Sequence, residues 1–201
     1  MNLPNRPNRR RAVAALLAAG LAACGAERKP AFKAIDITGA EYARQLALPD
    51  ASGKPRSLAE FKGQVVVVFF GFTQCPDVCP TALAEVAEVK RRLGADGAKV
   101  QAVLVSIDPE RDTPEVLSAY VGSFGRDFVA LRGTLEQTQA AAKEFKVFFA
   151  KSPGKSADSY TMDHTAGLFV FDPLGRVRLF VRSGGGAETL ASDIKLLLAG
   201  A

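Results

Sequence analysis

Gln64-Val65-Val66-Val67-Val68-Phe69-Phe70-Gly71-Phe72 is the stretch on which the fold turns. From Val65 to Phe70 every residue is β-branched or aromatic. Such a run cannot alternate between core and solvent, so it predicts a strand buried on both faces. Thr73-Gln74-Cys75-Pro76-Asp77-Val78-Cys79-Pro80 follows at once. Thr81 to Leu93 then has helical spacing, with Leu83, Val86, Ala87 and Leu93 near one face. Gly94 to Gly97 ends that helix. Lys99 to Ile107 is a second apolar strand. By the crossover rule the two strands are parallel neighbours in one sheet.

Downstream, Asp108-Pro109-Glu110-Arg111-Asp112-Thr113-Pro114 is a loop feeding a helix that runs to about Phe124. Thr113 suits its N-cap and Pro114 its first helical position. A short segment at Phe128 to Leu131, a helix near Thr134 to Phe145 and a strand at Val147 to Lys151 come next, then a Ser152 to Ser159 loop. Thr165 to Phe171 and Arg176 to Arg182 form a hairpin about Asp172-Pro173-Leu174-Gly175. Gly184-Gly185-Gly186 interrupts the chain before a last helix, Ala187 to Leu198. Upstream, Ser57 to Phe61 is a capped helical turn with Glu60 three residues after Ser57, and Phe32 to Leu48 contains a short strand or turn. This order predicts an α/β domain of thioredoxin-like fold, a mixed central sheet flanked by helices, over residues 40–201.

The chain has 201 residues, with 26 Lys+Arg against 21 Asp+Glu and 48% hydrophobic residues. That is the composition of a folded globular protein. The excess charge is misleading. Arg6, Arg9, Arg10 and Arg11 precede the uncharged run Ala12 to Ala23, the pattern of a secretory signal peptide too short to span a membrane. Leu21-Ala22-Ala23-Cys24 resembles a bacterial lipobox, which makes residues 1–23 a lipoprotein signal peptide, Cys24 the lipidated residue and residues 24–39 a tether. Sec and twin-arginine export both remain open. Taking those four Arg from 26 leaves 22 basic residues against 21 acidic. A nucleic-acid surface then has no compositional support. The expected location is the bacterial cell envelope, lipid-anchored and facing the periplasm.

The chemistry lies in Cys75, Cys79 and His164, the last being the only histidine. A Cys pair between a buried strand and a helix start sits where the helix dipole favours a thiolate. Spaced i, i+4 on a helical turn, the two Cα atoms would be about 6 Å apart. That allows a disulfide when oxidised and a shared metal ion when reduced. Structural staple, redox pair and metal site all remain open on spacing alone. A disulfide closing so short a loop would contribute only about 2 kcal/mol. His164 precedes the predicted Thr165 strand and can complete a three-ligand set, for which soft thiolates favour Cu(I) while imidazole also suits Cu(II). Asp77 and Asp163 are candidates for orienting the ligands from behind. Met162, the only methionine after Met1, excludes a Met-rich copper site. The Asp108 to Glu115 loop could be taken for a hard-metal site. Phosphate-loop and G-x-S-x-G signatures are absent.

Three segments together resemble the SCO/SenC family: Gly71 to Thr81 (GFTQCPDVCPT), Ser106 to Pro114 (SIDPERDTP), and Asp163-His164-Thr165 followed by a strand and the Asp172 to Gly175 turn. The likeness covers roughly residues 40–199. It implies a membrane-tethered, thioredoxin-like domain that binds one copper through Cys75, Cys79 and His164, with Cys75 and Cys79 also redox-active. It implies delivery to the dinuclear copper centre of cytochrome c oxidase subunit II, with a periplasmic copper donor and a thiol reductant as further partners. The alternative is a thiol–disulfide oxidoreductase that reduces the cysteines of the oxidase copper site. Related disulfide reductases carry C-x-x-C and a cis-proline before the hairpin. Here the spacer has three residues and no proline lies between Pro153 and Pro173, which shifts weight toward metal carriage.

Overall fold

The computed structural model describes residues 31–154 and 159–201. The expected signal peptide, the lipidation site Cys24 and residues 25–30 of the expected tether lie outside them. The strands are β1 (Ile35–Asp36), β2 (Ala47–Pro49), β3 (Pro55–Ser57), β4 (Val65–Gly71), β5 (Val100–Ser106), β6 (Val129–Leu131), β7 (Phe149–Pro153), β8 (Tyr160–His164), β9 (Gly167–Phe171) and β10 (Val177–Arg182). The helices are α1 (Val78–Arg92), α2 (Pro114–Gly122), α3 (Leu135–Glu144) and α4 (Ala187–Leu198).

Six strands form the central sheet in the order β1-β10-β9-β4-β5-β6. β4 runs parallel to β5 on one side and antiparallel to β9 on the other. It therefore has no free edge, and all seven of its residues are buried, as its unbroken apolar run requires. Its two faces do different work. Phe70 packs against Phe145 just after α3, centroids 5.1 Å apart. Phe69 turns the other way, toward the site. The mixed α/β architecture is the expected one, and β4–β5 is the expected parallel pair.

Local signals set the element ends. Thr113 accepts a hydrogen bond from the Val116 N–H with Pro114 opening α2. Thr134 and Gln137 close a reciprocal capping box on α3, Gln137 N–H donating to Thr134 Oγ1 and Thr134 N–H to Gln137 Oε1. Glu60 accepts from the Ser57 N–H at 2.9 Å and closes the predicted turn.

Two readings are corrected. The domain begins before residue 40: Ile35 and Asp36 pair with β10, and the Lys33 and Ala34 N–H groups donate to buried Asp193 on α4. Residues 31–39 therefore belong to the domain. His164 does not open the core hairpin, whose first strand starts only at Gly167. It ends β8, which pairs with β7 in a separate two-stranded ribbon. The expected strand at Val147 to Lys151 overlaps β7, but β8 was missed, because its mixed polar and apolar residues impose no clear period.

Candidate metal centre

The site is built where β4 stops. Gly71 ends the strand, and a Cβ there would lie 3.0 Å from Cys79 Sγ and 2.6 Å from a Phe69 ring carbon. Only a hydrogen at this position lets the sulfur rest against the strand end. The chain then loops through Cys75 and enters α1 at Val78, making Cys79 the second helical residue. Cys75 is thus outside the helix, in place of the expected common helical turn. The loop still brings the sulfur in, because the Cys79 N–H donates to Cys75 Sγ at 3.3 Å. A helix start leaves its first N–H groups unpaired, and here a sulfur takes one of them. Pro80, next along, has no N–H to satisfy.

Cys79 is fully buried and Cys75 half-buried, and both thiols are free. Burial, reinforced by the hydrogen bond with Cys75, pushes the Cys79 thiol well above its usual range. Without a metal it therefore holds its proton, and metal uptake at this sulfur must release it.

His164 reaches the same point from the other side. Its Nε2 lies 3.8 Å from Cys79 Sγ, and its Nδ1 lies 3.1 Å from the Thr165 carbonyl oxygen. A carbonyl only accepts, so Nδ1 carries the proton and the Nε2 lone pair faces the thiols. The ring meets Phe69 and Phe72 edge-on, with both centroids 6.0 Å away. Burial holds the imidazole below its ordinary pKa of 6.5, against the opposing pull of the Thr165 carbonyl and of Asp163. The ring is neutral at neutral pH, the form that binds metal.

The donor atoms of Cys75, Cys79 and His164 all lie within 4.8 Å of one another. Bonds of about 2.0–2.3 Å to one ion place two ligands up to roughly 4.5 Å apart, so the three converge on one ion with little movement. Among the described residues this is the one such group of His, Cys, Asp and Glu. Asp77 and Asp163 stand back from it. Asp77 is exposed before α1, where its carboxylate accepts from Thr81 Oγ1 at 3.4 Å. Asp163 is exposed and takes a short hydrogen bond from Ser152 Oγ.

Reasoning from sequence passed over Asp112. It is fully buried and accepts from the Thr73 N–H (3.1 Å), Thr73 Oγ1 (2.6 Å) and Ser106 Oγ (2.6 Å). It thereby ties the loop that carries Cys75 to the end of β5. The available signal was Ser106, a polar residue closing an otherwise mostly apolar strand just before an acidic loop.

The chain that carries this site has relatives of known family and structure. The family model described as SCO1/SenC matches residues 36–199. The chain belongs to the SCO1/SenC family. Over 151 residues it is 34% identical to the mitochondrial Protein SCO2 homolog of Mus musculus, covering 74% of this chain and 59% of that relative. The chain thus spans somewhat over half the length of that relative. Among solved structures it resembles Bradyrhizobium japonicum ScoI with copper bound, at 39% identity and TM-score 0.68, over 77% of this chain and 98% of that one. It also resembles apo Sco1 from Thermus thermophilus in solution, at 36% identity and TM-score 0.74, over 84% and 98%. These SCO1/SenC neighbours share the thioredoxin-like fold. Among the described residues no helix is long and apolar enough to cross a membrane.

Proposed function

We propose that this protein is a copper metallochaperone that delivers copper to the dinuclear centre of cytochrome c oxidase subunit II. The observation that carries the reading is the convergence of Cys75 Sγ, Cys79 Sγ and a correctly oriented His164 Nε2 within 4.8 Å, in a chain resembling a ScoI with copper bound. The two sulfurs hold Cu(I), and the imidazole adds the donor that suits Cu(II). Cys75 and His164 are half-buried, so an acceptor's own Cys and His side chains can replace them one at a time by ligand exchange. Oxidation of Cys75 and Cys79 to a disulfide removes both thiolates and with them the site, which links copper loading to redox state. Cys24 is the lipid anchor in this reading, holding the domain at the periplasmic face of a membrane, where a copper donor and a thiol reductant supply its substrates. The near balance of charge after residue 23 makes bulk electrostatics a minor part of partner choice.

A second reading is that the pair acts as a thiol–disulfide oxidoreductase on the oxidase cysteines. It is favoured by the half-buried place of Cys75 on its loop, where its Sγ is held by the Cys79 N–H, and by both thiols being free. Cys75 and Cys79 would each lose a proton and together two electrons to a partner disulfide, ending as the Cys75–Cys79 disulfide while the partner leaves as a dithiol.

The test is copper titration of the reduced protein, wild type and His164→Ala. We expect one copper per chain, with Cu(II) binding weakened selectively by the substitution. No copper uptake by the reduced protein sinks the chaperone reading. Normal oxidase assembly in a His164→Ala strain favours the reductase.

A further inference from the structure

The Asp108–Arg111 segment of the sequence offers carboxylates but gathers no ligand set; the structure assigns it a different task. His164 rides on the β7–β8 ribbon, whose ladder, from Phe149↔His164 to Pro153↔Tyr160, joins only its own two strands. The ribbon's His164 end is tied by short chain links to α3 and β9 and by the Val147 N–H donating to the Ala142 carbonyl at 2.8 Å, but its far Tyr160 end has no backbone pairing to the central sheet, and side chains must place it. Three polar contacts from the ribbon run to this one loop. Tyr160 Oη donates to Asp108 Oδ1 at 2.8 Å. Lys151 Nζ donates to Glu110 Oε2 at 2.7 Å. Arg111 makes the third and most extensive contact. Its Nη1 donates to the Tyr160 carbonyl at 2.7 Å and to Gln74 Oε1, beside Cys75, at 3.2 Å. Its Nε donates to the Asp108 carboxylate, and its guanidinium carbon lies 3.6 Å from the Tyr160 ring centroid.

One guanidinium therefore touches the cysteine loop, the acidic loop and the ribbon that carries the histidine. We propose that Arg111 is the positioning residue of the metal centre: it seats the Tyr160 end of the ribbon against the cysteine loop and so sets the reach of His164 Nε2 toward Cys79 Sγ. This rests on the metal-binding reading of that site. The ribbon is held at two points. At one end the His164 ring lies against Phe69 and Phe72, next to buried Met162. At the other end Arg111 and Asp108 hold Tyr160. β8 is five residues long, so a shift at Tyr160 is carried along a paired strand to His164. The task calls for a planar group with donors in fixed directions that also stacks on a ring. A lysine ammonium has neither property. Cys75 and Cys79 belong to the core strand end and α1, so loss of Arg111 falls mainly on the imidazole's share of binding.

The test compares Cu(II) and Cu(I) affinity in the reduced wild type, Arg111→Met, Arg111→Lys, His164→Ala and Arg111→Met with His164→Ala. We expect Arg111→Met to weaken Cu(II) at least tenfold and Cu(I) less than threefold. Arg111→Lys, the variant that keeps the charge, weakens Cu(II) several-fold and decides the matter should Arg111→Met fail to fold. In the double variant Arg111→Met adds nothing to His164→Ala, because the group it positions is gone. Additive effects, or unchanged Cu(II) affinity in folded Arg111 variants, overturn the proposal. In the copper-free protein the variants should lose the proton–proton contacts of the His164 ring with Phe69 and Phe72 while keeping their helical signal. If the wild type takes up no copper, the chaperone reading fails. This ring-contact measurement then decides the positioning role by itself, and contacts intact in folded variants refute it.

Discussion

Asp112→Ala should destabilise the protein more than its short side chain suggests. The substitution strands three donors: the Thr73 N–H, Thr73 Oγ1 and Ser106 Oγ. The hydroxyls can turn toward other acceptors, and Ser106 Oγ keeps the Asp108 N–H as a partner at 3.2 Å. The Thr73 amide cannot turn. A buried donor left unpaired costs about 1–3 kcal/mol, and a hydrogen bond to a charged acceptor contributes about 1.5–3 kcal/mol. Against this stands the cost of burying the carboxyl at all, which pushes its pKa upward and is recovered on removal. The net loss comes to about 3 kcal/mol. Asp112→Asn keeps Oδ1 for both Thr73 donors and sets an amide against the Ser106 oxygen, which can accept. It should cost about 1 kcal/mol, one exchanged hydrogen bond. Urea unfolding of the reduced protein, followed by circular dichroism, measures both. At about 2–4 °C per kcal/mol the alanine variant should melt roughly 6–12 °C lower. Thr73 lies two residues before Cys75, so the alanine variant should also bind copper more weakly than the asparagine one. An alanine variant losing less than about 1 kcal/mol, or one no worse than asparagine, would refute the view that this carboxylate holds the loop.

Gly71→Ala should cost about 1–3 kcal/mol by overpacking and lower copper affinity by pushing Cys79 Sγ off the strand end; a copper titration matching wild type would show the sulfur is not confined there. Thr113→Ala should cost about 1 kcal/mol through loss of the α2 cap while leaving copper affinity unchanged, read from parallel urea and copper titrations. Burial pushes the Asp50 carboxyl up, but donors from Ser52, Arg56 and two backbone N–H groups more than reverse this and bring it down to about 2 from 3.8. A carboxyl with a depressed folded pKa contributes fully above its unfolded value, so that stability should be lost as pH falls from about 4 toward 2. Asp50→Asn should flatten the fall in urea midpoint across that window, and an equally steep fall in the variant would remove Asp50 as its source.

What could be read from the sequence, and what could not, divides by the kind of force involved. Periodicity and local capping chemistry act within a few residues, so the buried run of β4, the Thr113-Pro114 start of α2 and the final helix from Ala187 were legible to within a residue or two. The three metal-ligand candidates were legible because residue type restricts who can serve: one histidine exists, and two cysteines flank one helix start. Their arrangement was not. Spacing suggested two sulfurs on one helical turn, yet Cys75 sits in the loop and acts on the helix as an acceptor for the Cys79 N–H. His164 was expected in the loop just before a core strand, yet it ends a separate ribbon that Arg111, Asp108 and Glu110 help to hold. Those anchors join residues about 40 to 50 positions apart through side chains on irregular backbone, where no period exists to reveal them. The same division bears on function. Cys79 is held by the end of β4 and the start of α1, Cys75 by the loop between them, and the histidine by a ribbon outside the central sheet. Under the proposed chaperone reading, a partner that disturbs the ribbon would move the imidazole without moving Cys79, so that the sites could exchange one ligand at a time.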